Sequence, residues 1–531
     1  MAGARAAGEE RFRTAEVIAS LCLATDLGMG FPFEHGLHAT LTTMRLCEAL
    51  DVDAQTAAQA YYASLFMYTG CTTDAEVAVQ IFRGGLTRSG THRQFGSPVE
   101  AVAGVIGAIP SPVSAWPRRA YEIATGLPRA VAFTRTHFTA LCEVAQMLAE
   151  QVGLPDTISS LFNLLTERWD GRSVLRRAKQ EEVPLALRIV HVGRDAAYQR
   201  LLGDDEHVVE VINSRAGHAF DPEVANVFAE HAAEILGPAT PESVWQGVLD
   251  AEPRPWLMLR GEEIDRAVAA MGAFADLASP YLSGHSAGVG ELADAAARIC
   301  GFDAADTAAV RRAGYLHDLG KTAVHPRVWS KAGPLTADEW EQVRLHPYHT
   351  ERVLVHSPAL APLAAISRAH HERLDGTGYH RGIGAATLSP PCRLLAAADA
   401  YQAKLEPRPY RAARSPTEAS AILADRARTG ALDAEMVAAV VAATGHTVPR
   451  IERPAGLTGR EAEVIGLLAR GMQTKQIARA LAISVKTADR HIQNVYGKIG
   501  VSTRAAATLF AVEHGLVPWG ELPIRRPDGV P

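Results

Sequence analysis

The stretch that decides the reading of this chain runs Gly284-His285-Ser286, Tyr315-Leu316-His317-Asp318-Leu319-Gly320-Lys321, His346-Pro347, His370-His371-Glu372-Arg373-Leu374-Asp375-Gly376-Thr377-Gly378-Tyr379 and Ala398-Asp399. Imidazole and carboxylate are the side chains that divalent transition ions accept most readily, and a set of this size can hold more than one ion. A lone histidine on a helix usually packs or is solvated. An ordered series of His285, His317, Asp318, His346, His370, His371 and Asp399, set in segments that read as helices, instead predicts a metal centre in an all-α domain. The adjacent His317 and Asp318 can each take one ion, or the carboxylate can bridge two. Asp375-Gly376 and Gly378 mark a turn where a loop can approach a phosphate closely. His325, His349, His356 and His380 lie nearby and are left outside the ligand set.

These residues, together with Arg408-Pro409-Tyr410-Arg411, resemble an HD-GYP phosphohydrolase domain, a branch of the HD superfamily of metal-dependent phosphohydrolases best known for cyclic di-GMP hydrolysis. The resemblance runs from about Ser279 to His446. It implies that the seven residues named above are metal ligands and that Lys321 faces the phosphate, so Asp318 and Lys321 are the expected catalytic residues. The imidazole and carboxylate mixture suits iron or manganese, with zinc also compatible. There are two departures from the family pattern. His380 stands where the name-giving loop has proline, which removes a stiffening residue and leaves cyclic dinucleotide preference open. Tyr281 stands where some members carry a glutamate for a third ion, so two ions are expected.

From Leu457 a second pattern begins. Thr458 with Glu461 reads as a capping box opening a helix that ends at Gly471; a second helix is predicted from Thr474 to about Leu481. After a turn at Ile483 and Ser484, a third helix carries Val485, Ile492, Val495 and Ile499 on its apolar face, and a fourth starts near Thr503. The arrangement resembles the LuxR-type helix-turn-helix, on Leu457, Thr458, Arg460, Glu461, Gly471, Ile477, Ala478, Leu481, Ser484, Lys486, Thr487, His491, Lys498, Gly500 and Arg504. Arg460, Arg470, Lys475, Arg479, Lys486, Arg490, Lys498 and Arg504 face only Glu461, Glu463, Asp489 and Glu513, whereas the whole chain is at −6. The basic surplus is local to the part that must meet phosphates. The resemblance implies that the third helix enters the major groove of double-stranded DNA, with Asp489, Arg490 and Gln493 toward base edges and Lys486, Thr487, Asn494 and Arg504 toward the backbone. It also implies that the fourth helix pairs two copies into a homodimer.

The first part of the chain duplicates the metal-binding part. Met67 and Tyr68 follow His35 at the separation by which His317 and Asp318 follow His285. Thr166-Glu167-Arg168-Trp169-Asp170-Gly171 parallels His371 to Gly376, with Leu165, Thr166 and Arg194 in place of His370, His371 and Asp399. A degenerate helical repeat that keeps the scaffold and has lost its ligands is expected, with an insertion over 83–131. The predicted organisation is 14–235 degenerate domain, 236–260 linker, 261–446 metal-dependent domain, 447–456 linker and 457–520 DNA-binding domain.

Six scattered cysteines without a Cys-x-x-Cys pair fit buried thiols in a reducing compartment, and no apolar run reaches membrane-span length. No signal-peptide pattern opens the chain, and a bacterial cytoplasmic protein is expected. The combined expectation is a transcriptional regulator whose phosphohydrolase domain, acting as a phosphodiesterase or nucleotide phosphatase on a phosphorylated small molecule or cyclic dinucleotide, accompanies sequence-specific DNA binding. The alternative is a catalytically weak domain serving as ligand sensor or dimerisation scaffold.

Overall fold

A computed structural model describes residues 10–72, 81, 95–111, 114–238, 243–445, 454–481, 483–514 and 516. The chain divides into two compact units between Ala267 and Val268. Both are helical. Besides isolated bridges, the strands among the described residues are Arg11–Arg13 and Met258–Arg260, an antiparallel pair within the first unit.

In the first unit helices Thr14–Met29, His35–Ala49 and Ala54–Phe66 bury Leu21, Leu23, Leu37, Leu46, Tyr61 and Phe66. Helices Trp116–Gln151 and Leu185–Gln199 complete its frame. Of the expected insertion, residues 83–94 and 112–113 lie outside the described residues; the remainder supplies helix Pro98–Ala108 and the start of the long helix. Much of the stretch 236–260, expected to be a linker, is folded into this unit. Val244, Trp245, Val248 and Leu249 have helical spacing and are buried on helix Val244–Asp250, and the Tyr61 hydroxyl donates to the Val248 carbonyl at 3.0 Å. Glu252 is held by Arg13 and Tyr62. Prolines in this stretch suggested a tether, but the apolar stripe between them has a core to join.

The second unit repeats the plan 250 positions later, in helices Glu262–Asp276, His285–Ile299 and Ala304–Leu316. Asp26 accepts the Gly36 amide and Asp276 the Ser286 amide. Asp53 caps one third helix and Asp303 the other. Glu34 and Gly284, each just before the histidine, take the left-handed conformation at φ 73° and 78°. A Cβ on Gly314 would lie 2.7 Å from the Gly290 Cα, so these helices meet backbone to backbone. In the first unit Thr40 and Ser64 hold those places and share a hydrogen bond of 3.1 Å. Leu394, Leu395 and Tyr401 of helix Pro390–Leu405, with Met436, Val437 and Val440 of helix Ala434–Ala443, close the second core.

Residues 446–453, most of the second expected linker, lie outside the described residues, as do 515 and 517–520. The C-terminal module has helices Gly459–Ala469, Thr474–Ala480, Val485–Ile499 and Arg504–Glu513, and the Thr458–Glu461 capping box is present. Val464, Ile465, Leu468, Ile477, Ala488, Ile492, Val495, Ala507 and Ala511 form its core. Val485, expected on the apolar face, is 46% exposed. It is the first helical residue after the Ser484 cap, and Ala488 one turn later takes the inward place. No described helix is long and apolar enough to cross a membrane.

Candidate metal centre

Helix ends deliver most of the candidate ligands. His285 opens its helix after Gly284, His317 terminates Ala304–Leu316, His346 opens His346–Leu354, and His370 with His371 follows Ala361–Ser367; Asp399 projects from the middle of Pro390–Leu405. All are buried except His371, which is partly exposed.

Three of the imidazoles are fixed by one local device. Nδ1 of His317, His346 and His370 each lies 2.6 Å from the carbonyl three residues earlier, at Gly314, Val343 and Ser367. Donating there sets the tautomer and leaves Nε2 as an inward lone pair. His346 Nε2 and His370 Nε2 stand 3.0 Å apart, two lone pairs that need a shared cation or proton between them. His285 is held differently: its Nδ1 lies 3.0 and 3.1 Å from the Glu406 carboxylate oxygens.

Asp318 divides its carboxylate. Oδ2 is 3.2 Å from His285 Nε2 and 3.1 Å from His317 Nε2, while Oδ1 is 3.3 Å from His346 Nε2 and 3.5 Å from His370 Nε2. Asp399 reaches His285 Nε2 at 3.3 Å through Oδ1 and His371 Nδ1 at 3.5 Å through Oδ2. Donor atoms thus gather as two triads, His285–His317–Asp399 and His346–His370–His371, with Asp318 against both. Both Asp318 oxygens and His317 Nε2 are sealed from water without a hydrogen bond of regular geometry. This buried, convergent set of nitrogen and carboxylate donors fits divalent transition ions.

The charges agree. Burial would raise Asp318 and Asp399, but His317 and Lys321 hold the first, and a hydrogen bond from His285 the second, well below the usual carboxylate range. Burial pushes His346 down to about 4 and His371 well below its ordinary value, so both are neutral near pH 7, the form a metal takes. At His285 burial is overcome by Glu406, which raises the imidazole. Lys321, expected to face a phosphate, is buried and paired with Asp318 Oδ2, its ammonium 5.3 Å from the Trp329 ring. The glycine turn forms as read, with Gly376 at φ 73° and the Thr377 amide donating to Asp375 Oδ1 at 2.9 Å. The turn leads to Tyr379, whose ring lies 4.7 Å from that of His371.

Sequence reasoning missed Glu406 and Asp276. Gln402 donates to Glu406 at 2.9 Å and Arg408 pairs with it at 2.9 Å, so this carboxylate orients His285 from behind. Its signal was the helical spacing Asp399, Gln402, Glu406. The signal for Asp276 was an aspartate at the same place in both repeats, Asp26 and Asp276.

Comparison with known proteins gives two family matches. The model described as HD domain matches residues 271–436, and that described as bacterial regulatory proteins, luxR family, matches residues 455–511. The chain joins an HD domain to a luxR-type module. The 3'3'-cGAMP-specific phosphodiesterase 3 of Vibrio cholerae is 27% identical over 436 residues, 81% of this chain and 95% of that protein, a span longer than either unit and so reaching into both. The crystal structure titled as cyclic GMP-AMP specific phosphodiesterases in V. cholerae (V-cGAP3) is similar with a TM-score of 0.57 and 25% identity, covering 83% of this chain and 99% of that one. The transcriptional regulatory protein MctR of Rhizobium johnstonii is 39% identical over 61 residues, 12% of this chain and 28% of that protein.

In the luxR-type module Lys486, Thr487, Asp489, Arg490, Gln493 and Asn494 are all exposed on helix Val485–Ile499, while His491 is half-buried. Arg504, expected to reach phosphate, donates to the Met472 carbonyl inside the module. The face of helix Arg504–Glu513 turned from the module core is covered within this chain, Ala505 and Leu509 being 4% and 1% exposed. The degenerate repeat has its own arrangement: His35 Nε2 lies 3.3 Å from the Tyr68 hydroxyl, and the Arg194 guanidinium stands 4.4 Å from the Tyr68 ring and 5.5 Å from Phe95. Among the described residues, every cluster suited to an ion lies in the HD domain.

Proposed function

We propose that the HD domain is a two-ion phosphodiesterase acting on a cyclic dinucleotide and that the luxR-type module carries the output, sequence-specific binding of double-stranded DNA in the bacterial cytoplasm. The observation that supports it most is the common lock on His317, His346 and His370, which aims three lone pairs at the carboxylate of Asp318. In this reading His285, His317 and Asp399 would hold one ion and His346, His370 and His371 the other, with Asp318 placed to serve both. The two ions, iron or manganese with zinc also compatible, would activate water and neutralise charge on the phosphoryl group. Glu406 keeps His285 in register, and Tyr379 shelves the substrate side beside His371. Lys321 supplies positive charge beside the bridging carboxylate, where negative charge develops on the substrate. The substrate class comes from the named Vibrio phosphodiesterases, and His380 leaves the choice among cyclic dinucleotides to this chain's own loop.

The test is metal analysis of the purified protein with a panel of 3'3'-cGAMP, cyclic di-GMP, cyclic di-AMP and mononucleotide substrates. Two metal equivalents with opening of a cyclic dinucleotide support the enzyme. Metal and tight dinucleotide binding with no turnover would favour a ligand sensor instead, a reading that the fused DNA-binding module makes worth measuring.

A further inference from the structure

The loop that presents the first candidate ligand also seats the DNA-binding module. Three contacts define the seat, all within the second unit. The Ser283 hydroxyl donates to the carbonyl of Ala469, the last residue of the module's first helix. Gly471 lies against Pro280 so closely that a Cβ there would come within 2.5 Å of the proline Cβ. Between them Arg470 is half-buried; burial pushes its guanidinium down and the Glu406 carboxylate pushes it back.

The other side of the loop is tied to the metal centre. Arg408 donates to the Tyr281 carbonyl and pairs with Glu406 at 2.9 Å, and Glu406 lies 3.0 Å from His285 Nδ1. Residues 280–284 are therefore held at one end by His285 itself and in the middle by Arg408, and both restraints pass through Glu406. An imidazole that coordinates through Nε2 must carry its proton on Nδ1, toward Glu406, and its ring can no longer turn. Filling the centre thus restrains the surface on which Ala469 and Gly471 rest.

We propose that metal occupancy and seating of the luxR-type module are linked through residues 280–284 and the Glu406–Arg408 pair, loading of the HD domain tightening the seat. The inference rests on the metal-centre reading above. Linkage is reciprocal, so whatever frees the module also loosens the ion at His285. The exposed reading face of helix Val485–Ile499 is not masked by the seat, so the link sets how firmly the module is carried rather than hiding its DNA surface.

Hydrogen–deuterium exchange of the full chain, stripped of metal and then reloaded with manganese, tests the link. Amides 281–284 and 466–472 should slow together on loading, by about five-fold, the lower end of ordinary coupling between sites. Ser283→Phe wedges the seat without replacing a ligand; at saturating manganese it should reach the parent's metal content, with a weaker midpoint as reciprocity requires, while segment 466–472 loses its response. Ser283→Ala, which removes one hydrogen bond, should show a smaller response than the parent, and it serves if the larger side chain impairs folding. Metal uptake with no change at 466–472 in the parent, or an undiminished response in the variants, sinks the link and spares the metal centre; failure to take up metal at all removes both.

Discussion

Asp318 is the residue on which the candidate centre turns, because one oxygen faces His285 and His317 and the other faces His346 and His370. Asp318→Ala should lose both ions and any hydrolysis while helix content is retained, as measured by metal analysis and circular dichroism; two ions and full turnover in that variant would refute the bridge. Glu406→Gln should be milder, lowering metal affinity by about 10–100-fold as removal of an outer-shell carboxylate usually does. A metal titration of unchanged midpoint would remove Glu406 from the account. All seven proposed ligands were legible in the sequence because each sits at a helix end or on an apolar helix beside recognisable punctuation. Glu406 was not, since its partner His285 is 121 positions away and only the packed helices bring them together. The Arg504 hydrogen bond was not legible either, since it reaches a carbonyl 32 positions earlier, which a list of basic residues does not reveal.

At the scale of the element, the luxR-type module was the most legible part, since capping boxes and helix stops are local signals. Its first helix rests on Glu461, which Lys498 and the Thr458 amide hold down to about 2. A carboxylate whose folded pKa lies below its unfolded value contributes stability above pH about 4.5, and that contribution is lost as pH falls toward 2. Calorimetry should therefore show the parent melting above Glu461→Gln at pH 6, with the gap closing as pH falls below 4; a constant gap would mean that the ionised form is not what matters. On helix Val485–Ile499, Arg490 and Lys486 are both exposed but are expected to differ in use. Arg490→Ala should cost about 1–3 kcal/mol of discrimination between selected and random DNA, whereas Lys486→Ala should weaken both alike and reduce the salt dependence. Equal loss of preference in the two variants would end that assignment. Half-site spacing is a separate question, because pairing through the fourth helices, which the family resemblance implies, would have to uncover Ala505 and Leu509 if it used that face.

Across the whole molecule, the duplication was visible as an equal spacing between His35 and Met67 and between His285 and His317, and it extends in three dimensions to caps, a left-handed residue and a buried aspartate. What spacing could not show is how a repeat without ligands balances its interior. The guanidinium of Arg194 lies over Tyr68 and Phe95, so a positive charge that belongs to the chain replaces one that must be acquired. Chelation should then lower only the melting transition of the second unit, and calorimetry of the full chain with and without chelator would read it; a shift of both transitions would contradict the replacement. Nutritional scarcity would act on such a molecule unevenly: if the HD domain holds divalent ions as proposed, a shortage of them would cost it that borrowed charge and the stability that comes with it, while its twin, carrying an arginine as a permanent counterfeit ion, would be indifferent to supply.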